Sequence, residues 1–211
     1  MSKRAYFLLL SALAAFIGGC SLPGKSAAPP RQTYLLQDNA TPGASPATQA
    51  RQCLSLRVNA PAAAPGFSTI RMVYTRQSPR LDYFARNEWA DAPARMLATM
   101  MEARLDSSGL FGAVLSGSSD VRTDLRLDAE LKSLQQDFSG EASTLGLQVK
   151  VSLVMVSDRS LLASKTFSYT ETAGGDPASG VAAADRAAQQ FLTDLTAFVA
   201  EAISPLNCAP G

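Results

Sequence analysis

The sequence predicts an α+β fold, a two-layer sandwich in which two main helices pack on a mostly antiparallel sheet. Two segments, 125–131 and 145–156, alternate apolar with polar residues, which is typical of strands that bury one face. A turn at 157–160 and a further strand-like segment, 161–170, follow, so the three strands are expected to form an antiparallel meander. Two other segments repeat apolar residues at helical spacing and supply the second layer.

Shorter strands are expected upstream of the meander. Leu54, Leu56 and Val58 alternate with polar residues, and the proline-containing stretch 61–65 ends that strand. The remaining short strands are apolar segments next to turn residues such as Ser78-Pro79. They are expected at 34–36, as an edge strand, and at 69–75, 81–85 and 110–115.

The first helix is expected between Asp91, which would cap it, and Gly109, which lies just beyond its end; Pro93 falls in its first turn. Its apolar residues lie on one face, and a buried packing role is expected for them rather than an adaptable binding surface. These residues are Leu97, Met100, Met101 and Leu105.

The second helix is expected to begin at Asp176-Pro177, where the aspartate caps and the proline occupies the first turn, and to stop before Pro205. Its charged residues argue against a membrane span and favour an amphipathic helix that lies on the sheet. The apolar seam consists of Ala184, Ala188, Phe191, Leu195, Phe198 and Ala202.

The first nineteen residues have the pattern of a bacterial secretory signal peptide. Lys3 and Arg4 precede an apolar run, 5–17, that is too short to span a hydrocarbon core of about 30 Å. The following Ile17-Gly18-Gly19-Cys20 resembles the lipobox of bacterial lipoproteins. That resemblance implies that cleavage makes Cys20 the new amino terminus and that its thiol takes a diacylglycerol, with palmitate among the acyl chains. With Ser21 next, it also implies transfer to the outer membrane.

The chain therefore divides into three predicted parts. Residues 1–19 are the signal peptide, 20–33 a lipidated flexible tether rich in proline and small polar residues, and 34–208 the folded domain. The full chain of 211 residues has 19 Lys and Arg against 18 Asp and Glu. Loss of the two signal bases leaves 17 against 18, so the mature chain carries a formal charge of −1.

Composition excludes several classes of function. A chain with a net charge near zero lacks the excess of basic residues that is typical of nucleic-acid-binding proteins. The chain has no histidine, so Ser-His-Asp and Cys-His catalysis and His-containing metal sites are excluded. Residues 19–26 formally match the P-loop pattern, but they overlap the signal cleavage site and contain Pro23. A phosphate-binding loop needs a strand before it and a helix after it, and this segment has neither in its predicted surroundings. We therefore expect no enzyme, no metal and no cofactor.

The three cysteines have separate expected roles. If Cys20 is acylated, Cys53 and Cys208 remain as an even pair in an oxidising compartment, and a disulfide between them is the favoured hypothesis. Two separate free thiols are the alternative.

An ordered set of short segments resembles the ABC-type transport auxiliary lipoproteins, also called PqiC-like lipoproteins. The resemblance covers about residues 33–203, and the Arg-Met-Val-Tyr strand is its strongest element. The segments are Tyr34-Leu35-Leu36, Leu56-Arg57-Val58, Arg71-Met72-Val73-Tyr74, Leu81-Asp82-Tyr83-Phe84, Asn87-Glu88-Trp89-Ala90 and Ser108-Gly109-Leu110-Phe111.

Membership in that family implies a non-catalytic, outer-membrane component of an MCE-type lipid transport system. Its implied partners are an MCE-domain protein, which carries lipids between membranes, and the inner-membrane ABC transporter subunits. The lipoprotein would dock the periplasmic MCE assembly at the outer membrane, as a single copy or as a ring of copies. An assembly or stabilising factor for another outer-membrane complex is the alternative.

Four residues are candidates for contact with a partner or a lipid headgroup. Arg71, Tyr74 and Tyr83 are expected near one strand pair, where arginine suits phosphate. Trp89, the only tryptophan, is expected in the loop before the first helix, either pinning that loop to the core or anchoring an interface. Glu88 beside Asp91 is expected to be structural rather than an acid–base pair.

Overall fold

The computed structural model describes residues 30–38 and 53–206, which belong, apart from Pro30, to one compact unit. The predicted signal peptide, most of the tether, Cys20 and Cys208 lie outside the described residues. The elements, in chain order, are β1 Gln32–Tyr34, β2 Ser55–Val58, β3 Ala62–Ala63, β4 Arg71–Thr75, β5 Asp82–Trp89, α1 Pro93–Ser107, β6 Ala113–Ser116, β7 Leu125–Asp137, β8 Thr144–Met155, β9 Leu161–Thr172 and α2 Pro177–Ala202.

The predicted α+β class is confirmed: the described residues form a nine-stranded open sheet with two helices packed on it. The sheet is mixed. β7, β8 and β9 form the predicted antiparallel meander, and β4 pairs antiparallel with β5. The other pairings are parallel. They join strands that are far apart in the sequence, since parallel strands must be connected by a crossover.

β7 organises the sheet. One of its edges pairs with β8 along almost its whole length. The opposite edge pairs in turn with β2, β3 and β4, at Leu125–Leu127, at Glu130–Leu131 and at Gln135–Asp137. On its other edge β2 pairs with β6. Likewise β4 pairs with β5, which in turn pairs with β1. The single strand β7 therefore holds both halves of the sheet together.

The alternating pattern of the meander separates a buried face from a polar face, as predicted. Leu125, Leu127 and Leu131 of β7 are fully buried, as are Val149 and Val151 of β8. The polar side chains between them form short ion pairs along the strand, Arg126 with Asp128 and Glu130 with Lys132. The helices cover only the apolar face, which is typical of an antiparallel sheet with one solvated side.

Helix α2 begins as predicted. The Asp176 carboxylate accepts a hydrogen bond from the Ser179 N–H at 3.0 Å, and Pro177 occupies the first turn. Phe191, Leu195 and Val199 are fully buried. The Phe191 ring meets Phe167 of β9 edge-on, with 5.5 Å between ring centroids, so α2 packs on the end of the meander.

Helix α1 carries the predicted core stripe, and Leu97, Met101 and Leu105 are fully buried. The predicted cap is wrong: Ala92 is the N-cap residue, and no side chain caps the helix. The Asp91 carboxylate instead accepts a hydrogen bond from the Ala92 N–H and forms an ion pair with Arg95. An arginine four residues later competes successfully for that carboxylate, as oppositely charged residues at this spacing do.

Some strand boundaries differ from the expected ones. β5 extends four residues further than predicted and ends at Trp89, whereas β6 is shorter and lies within 113–116. The proline-containing stretch 61–65 holds the two-residue strand β3. No helix among residues 30–38 and 53–206 is both long enough and apolar enough to cross a membrane.

Candidate functional site

The structure brings Arg71 and Tyr83 together, as the sequence predicted. The Arg71 guanidinium carbon lies 3.6 Å from the centroid of the Tyr83 ring, which is a cation–π stack. Arg71 is exposed on β4, and Tyr83 is half-buried on β5. The stack uses the flat face of the guanidinium and leaves its N–H edge available for a phosphate or carboxylate.

Tyr74 belongs to a different surface. Tyr74 is the register partner of Asp82, whereas Tyr83 pairs with Val73, so the two tyrosines lie on opposite faces of the β4–β5 pair. The Tyr74 ring packs 4.6 Å from Phe84 and 5.9 Å from Phe138, between ring centroids. The expected grouping of Arg71, Tyr74 and Tyr83 therefore reduces to Arg71 with Tyr83.

Trp89 is the last residue of β5, so its predicted position in a loop is wrong. Its side chain is buried, with 3% of the residue exposed, as the core interpretation expected. Its backbone N–H donates to the Ile70 carbonyl, and the strand register places Trp89 beside Tyr34 of β1. Trp89 thus links three strands from inside the domain and is not presented on the surface.

Residues 31–38, here called the N-terminal strap, bind along the sheet edge at β5 and form contacts that the sequence did not reveal. β1 pairs in parallel with β5, and the Tyr34 carbonyl accepts from the Ala90 N–H at 2.7 Å. Leu36 is buried in the core, and Leu35 is exposed. The predicted edge strand at 34–36 therefore exists but begins two residues earlier, at Gln32.

Polar contacts hold the far end of the strap to both helices. Arg104 of α1 donates two hydrogen bonds of 2.6 Å to the Asp38 carboxylate, and both side chains are about four-fifths buried. The Gln37 N–H donates to the Asp185 carboxylate of α2 at 2.9 Å. Arg31, at the start of the strap, pairs with Glu88 of β5 at 2.9 Å. These partners lie 57 to 148 residues apart in the sequence, so no local pattern shows them.

Burial of Asp185 makes the stability of the folded protein dependent on pH. Burial raises the pKa of the Asp185 carboxyl above its ordinary value of 3.8, although the Gln37 N–H and the Arg186 charge oppose the rise. The ionised form is therefore less favourable in the folded protein than in the unfolded chain. This penalty is present at neutral pH and is lost as the pH falls through the raised pKa toward the ordinary value.

Asp185→Asn is accordingly expected to raise the free energy of unfolding at pH 7, because the amide oxygen still accepts from Gln37 while carrying no charge. The difference from the wild type should shrink as the pH falls and vanish below pH 3.8. Urea unfolding at a series of pH values measures it, with Asp106→Asn on the exposed side of α1 as the control for loss of one negative charge. A variant less stable than the wild type at pH 7 would contradict the assignment.

The acids near Trp89 are occupied by ion pairs. Glu88 pairs with Arg31, and Asp91 pairs with Arg95, whose hydrogen bonds lower the pKa of the Asp91 carboxyl. A carboxyl with a lowered pKa stays ionised and is a poor general acid, as expected for a structural role. In the part of the chain that the structure describes, no group of three acidic, cysteine or histidine side chains is placed to hold a metal ion.

An open cleft of about 670 Å³ lies between α1 and the ends of β2 and β6. Its lining mixes charges of both signs, with Arg95 and Glu102 from α1, and hydroxyl and amide groups from the strand ends. Arg95 is already paired with Asp91. The cleft therefore presents no concentrated charge of one sign.

Cys53 lies just before β2 and is disulfide-bonded. The other two cysteines of the chain, Cys20 and Cys208, lie outside the described residues, so the pairing of Cys53 with Cys208 stays a prediction. The lipidation of Cys20 likewise stays a prediction.

Comparisons with solved structures support the fold. Protein XCC0632 from Xanthomonas campestris superposes with a TM-score of 0.71 at 22% identity, covering 81% of this chain and 96% of that one. The hypothetical protein CT253 from Chlamydia trachomatis gives a TM-score of 0.54 at 9% identity, covering 74% and 99%. At these identities the likeness concerns the fold alone. No curated protein matches the sequence significantly.

The family comparison covers most of the described domain. The model of the ABC-type transport auxiliary lipoprotein component matches residues 34–196, from the strap to the last third of α2. The matched range contains the whole sheet after β1, helix α1 and the Arg71–Tyr83 stack. The resemblance found in the sequence is thereby confirmed, and the chain belongs to the family of ABC-type transport auxiliary lipoproteins.

Proposed function

We propose that this protein is a non-catalytic lipoprotein of the outer membrane that docks the periplasmic MCE assembly of an ABC-type lipid transport system. The observation that carries the proposal is the family match over residues 34–196, which describes an auxiliary lipoprotein component of ABC-type transport. The lipobox ending at Cys20 supplies the anchor, and Ser21 after it favours the outer membrane. ATP hydrolysis then belongs to the transporter subunits.

The strap gives this role a structural basis. A protein that holds a large assembly at a membrane transmits force between its lipid anchor and its folded domain. Here the chain from Cys20 reaches the domain at Arg31, and the next eight residues are attached by a β-ladder, by buried Leu36 and by the Arg104–Asp38 ion pair. The anchor is therefore joined to both the sheet and the helices, rather than to one loop.

The proposal predicts that a tagged copy, purified from detergent-solubilised envelopes, recovers an MCE-domain protein together with ABC transporter subunits. Cys20→Ser removes the thiol that carries the lipid. Secreted with an ordinary cleavable signal peptide, this variant should move from the membrane fraction to the soluble periplasmic fraction after a high-salt wash, which removes attachment by charge alone. Fractionation followed by affinity purification and mass spectrometry measures both results. Cys53→Ser in a matched strain controls for loss of a cysteine, and it should leave the protein in the membrane fraction.

Two outcomes would contradict the proposal. Repeated recovery of a barrel or secretion component without any MCE protein would favour the alternative role in another outer-membrane complex. Retention of the Cys20→Ser variant in the membrane fraction after a high-salt wash would show that lipidation of this residue is not the anchor.

A further inference from the structure

Five arginines lie on or next to the three strands β1, β4 and β5 at one side of the sheet. Residues 69–90, which include β4 and β5, contain four arginines and two acids, and Arg31 precedes β1. The predicted mature chain has a formal charge of −1, so the rest of it is net acidic. The protein is thus electrically asymmetric although its total charge is close to zero.

Two of these arginines adjoin Glu88, one by an ion pair and one by strand register, and a third lies in the same part of β5. Arg71 is the register partner of Glu88 across the β4–β5 pair, and Arg31 forms an ion pair with Glu88. Arg86 lies two residues before Glu88 on the same strand and is exposed. We call Arg31, Arg71 and Arg86 the arginine patch; with Glu88 it carries a net charge of +2.

The guanidinium groups of the patch are mostly not satisfied within the chain. In residues 30–38 and 53–206, neither Arg71 nor Arg86 forms an ion pair, and neither side chain donates a hydrogen bond in the structure. The ring of Tyr83 holds the Arg71 guanidinium in place by its flat face. Two exposed apolar side chains, Ile70 and Leu35, flank the arginines.

The length of the tether places this side of the domain near the membrane. Ten residues lie between Cys20 and Arg31, and the eleven steps from one to the other span at most about 40 Å in a fully extended chain. Arg31 is itself a member of the patch and is attached to β5 through Glu88. The predicted tether therefore joins the domain at the arginine patch.

We propose that the arginine patch binds the phosphate groups of anionic phospholipids at the surface of the membrane that carries the anchor. The inference rests on the proposed acylation of Cys20. Arginine donates bidentate hydrogen bonds to phosphate, and Arg71 is pre-oriented for this by its stack on Tyr83. Exposed Ile70 and Leu35 enter the interfacial region beside the headgroups. The contact orients the domain, so that its other faces point toward the periplasm and a partner.

Flotation with lipid vesicles tests the proposal without the acyl chains. The mature chain with Cys20→Ser is expected to bind vesicles that contain phosphatidylglycerol and not vesicles of phosphatidylcholine alone, with binding that weakens as salt increases. The double variant Arg71→Ala/Arg86→Ala should lose about thirty-fold in vesicle partitioning, about five-fold for each basic residue near a charged surface.

The matched control is Arg122→Ala/Lys165→Ala, which removes the same charge from exposed positions outside β1, β4 and β5. It should bind anionic vesicles like the parent, and thermal unfolding should show that both double variants are folded. Equal losses in the two double variants, or equal binding to neutral and anionic vesicles, would overturn the proposal.

One further outcome separates a lipid surface from a protein partner. If the Arg71→Ala/Arg86→Ala variant floats normally with anionic vesicles yet recovers less MCE-domain protein from envelopes, the patch is a protein interface and the inference is wrong. Failure to recover any MCE protein with the wild type contradicts the proposed transport role and leaves the vesicle result unchanged.

Discussion

Gly180→Ala is expected to lower the free energy of unfolding by about 1 to 2 kcal/mol, because an overpacking cost of about 1 to 3 kcal/mol outweighs the roughly 1 kcal/mol by which alanine favours a helix over glycine. A methyl group at this position of α2 would overlap the Gln136 side-chain oxygen and lie 2.9 Å from its Cδ. Gln136 is 2% exposed, and its amide nitrogen donates to the Ser143 hydroxyl and to the Gly174 carbonyl, both at 2.9 Å. The glutamine cannot move aside without breaking these bonds.

Urea unfolding of two further variants isolates this contact. Gly175→Ala is the matched control, because nothing lies within 4 Å of a methyl group at that position, and it should change stability little. In a Gln136→Ala background, Gly180→Ala should become neutral or stabilising, since the overlapping atoms are gone. If Gly180→Ala costs the same in both backgrounds, the Gln136 contact is not the cause.

The proposed Cys53–Cys208 disulfide has the other large expected effect. Removing it by Cys208→Ser should lower the free energy of unfolding by about 2 to 5 kcal/mol, because the bond closes a loop of about 155 residues. Cys53 is disulfide-bonded, and if Cys20 is acylated only Cys208 is left to pair with it. The bond would attach the residues that follow α2 to the segment just before β2.

Thiol titration of the acylated protein, with and without reductant, checks this pairing. The denatured protein should show no reactive thiol before reduction and two afterwards. Two reactive thiols before reduction would end the proposal. The single variants Cys53→Ser and Cys208→Ser should each lower the unfolding midpoint by the same amount as the double variant, since either one alone breaks the bond.

The parts of the fold that the sequence predicted well are those with long, regular patterns. The alternation in 125–131 and 145–155 follows from burial of one face of β7 and β8, and the spacing of apolar residues in α1 and α2 follows from burial of one stripe. Each signal repeats over several turns or residue pairs, so neighbouring positions reinforce one another. Asp176 caps α2 as expected because proline follows it and no cation competes for its carboxylate.

The parts that the sequence missed depend on contacts between distant segments. The parallel pairing of β7 with β2, β3 and β4 is not visible in any local pattern, because strand type alone does not specify a partner. Asp91 has the residue type and the position of an N-cap for α1, yet its carboxylate forms an ion pair with Arg95 instead. In the candidate site, the sequence predicts that Arg71 and Tyr83 are near each other but not that they stack, and the register of β4 on β5 places Tyr74 on the other face.

The order of strands around β7 has a consequence for how the domain assembles. β8, the partner on one edge, follows β7 directly, whereas residues 56 and 73 on the other edge precede their β7 partners by 69 and 62 residues. Contacts across such separations form slowly, because a long loop must close first. Because the chain is synthesised from its amino terminus, β2, β3 and β4 are exposed before β7 is available. β4 can pair with β5 and β2 with β6 before β7 is made, but the edges of β2 and β4 that β7 covers stay open until β7 follows.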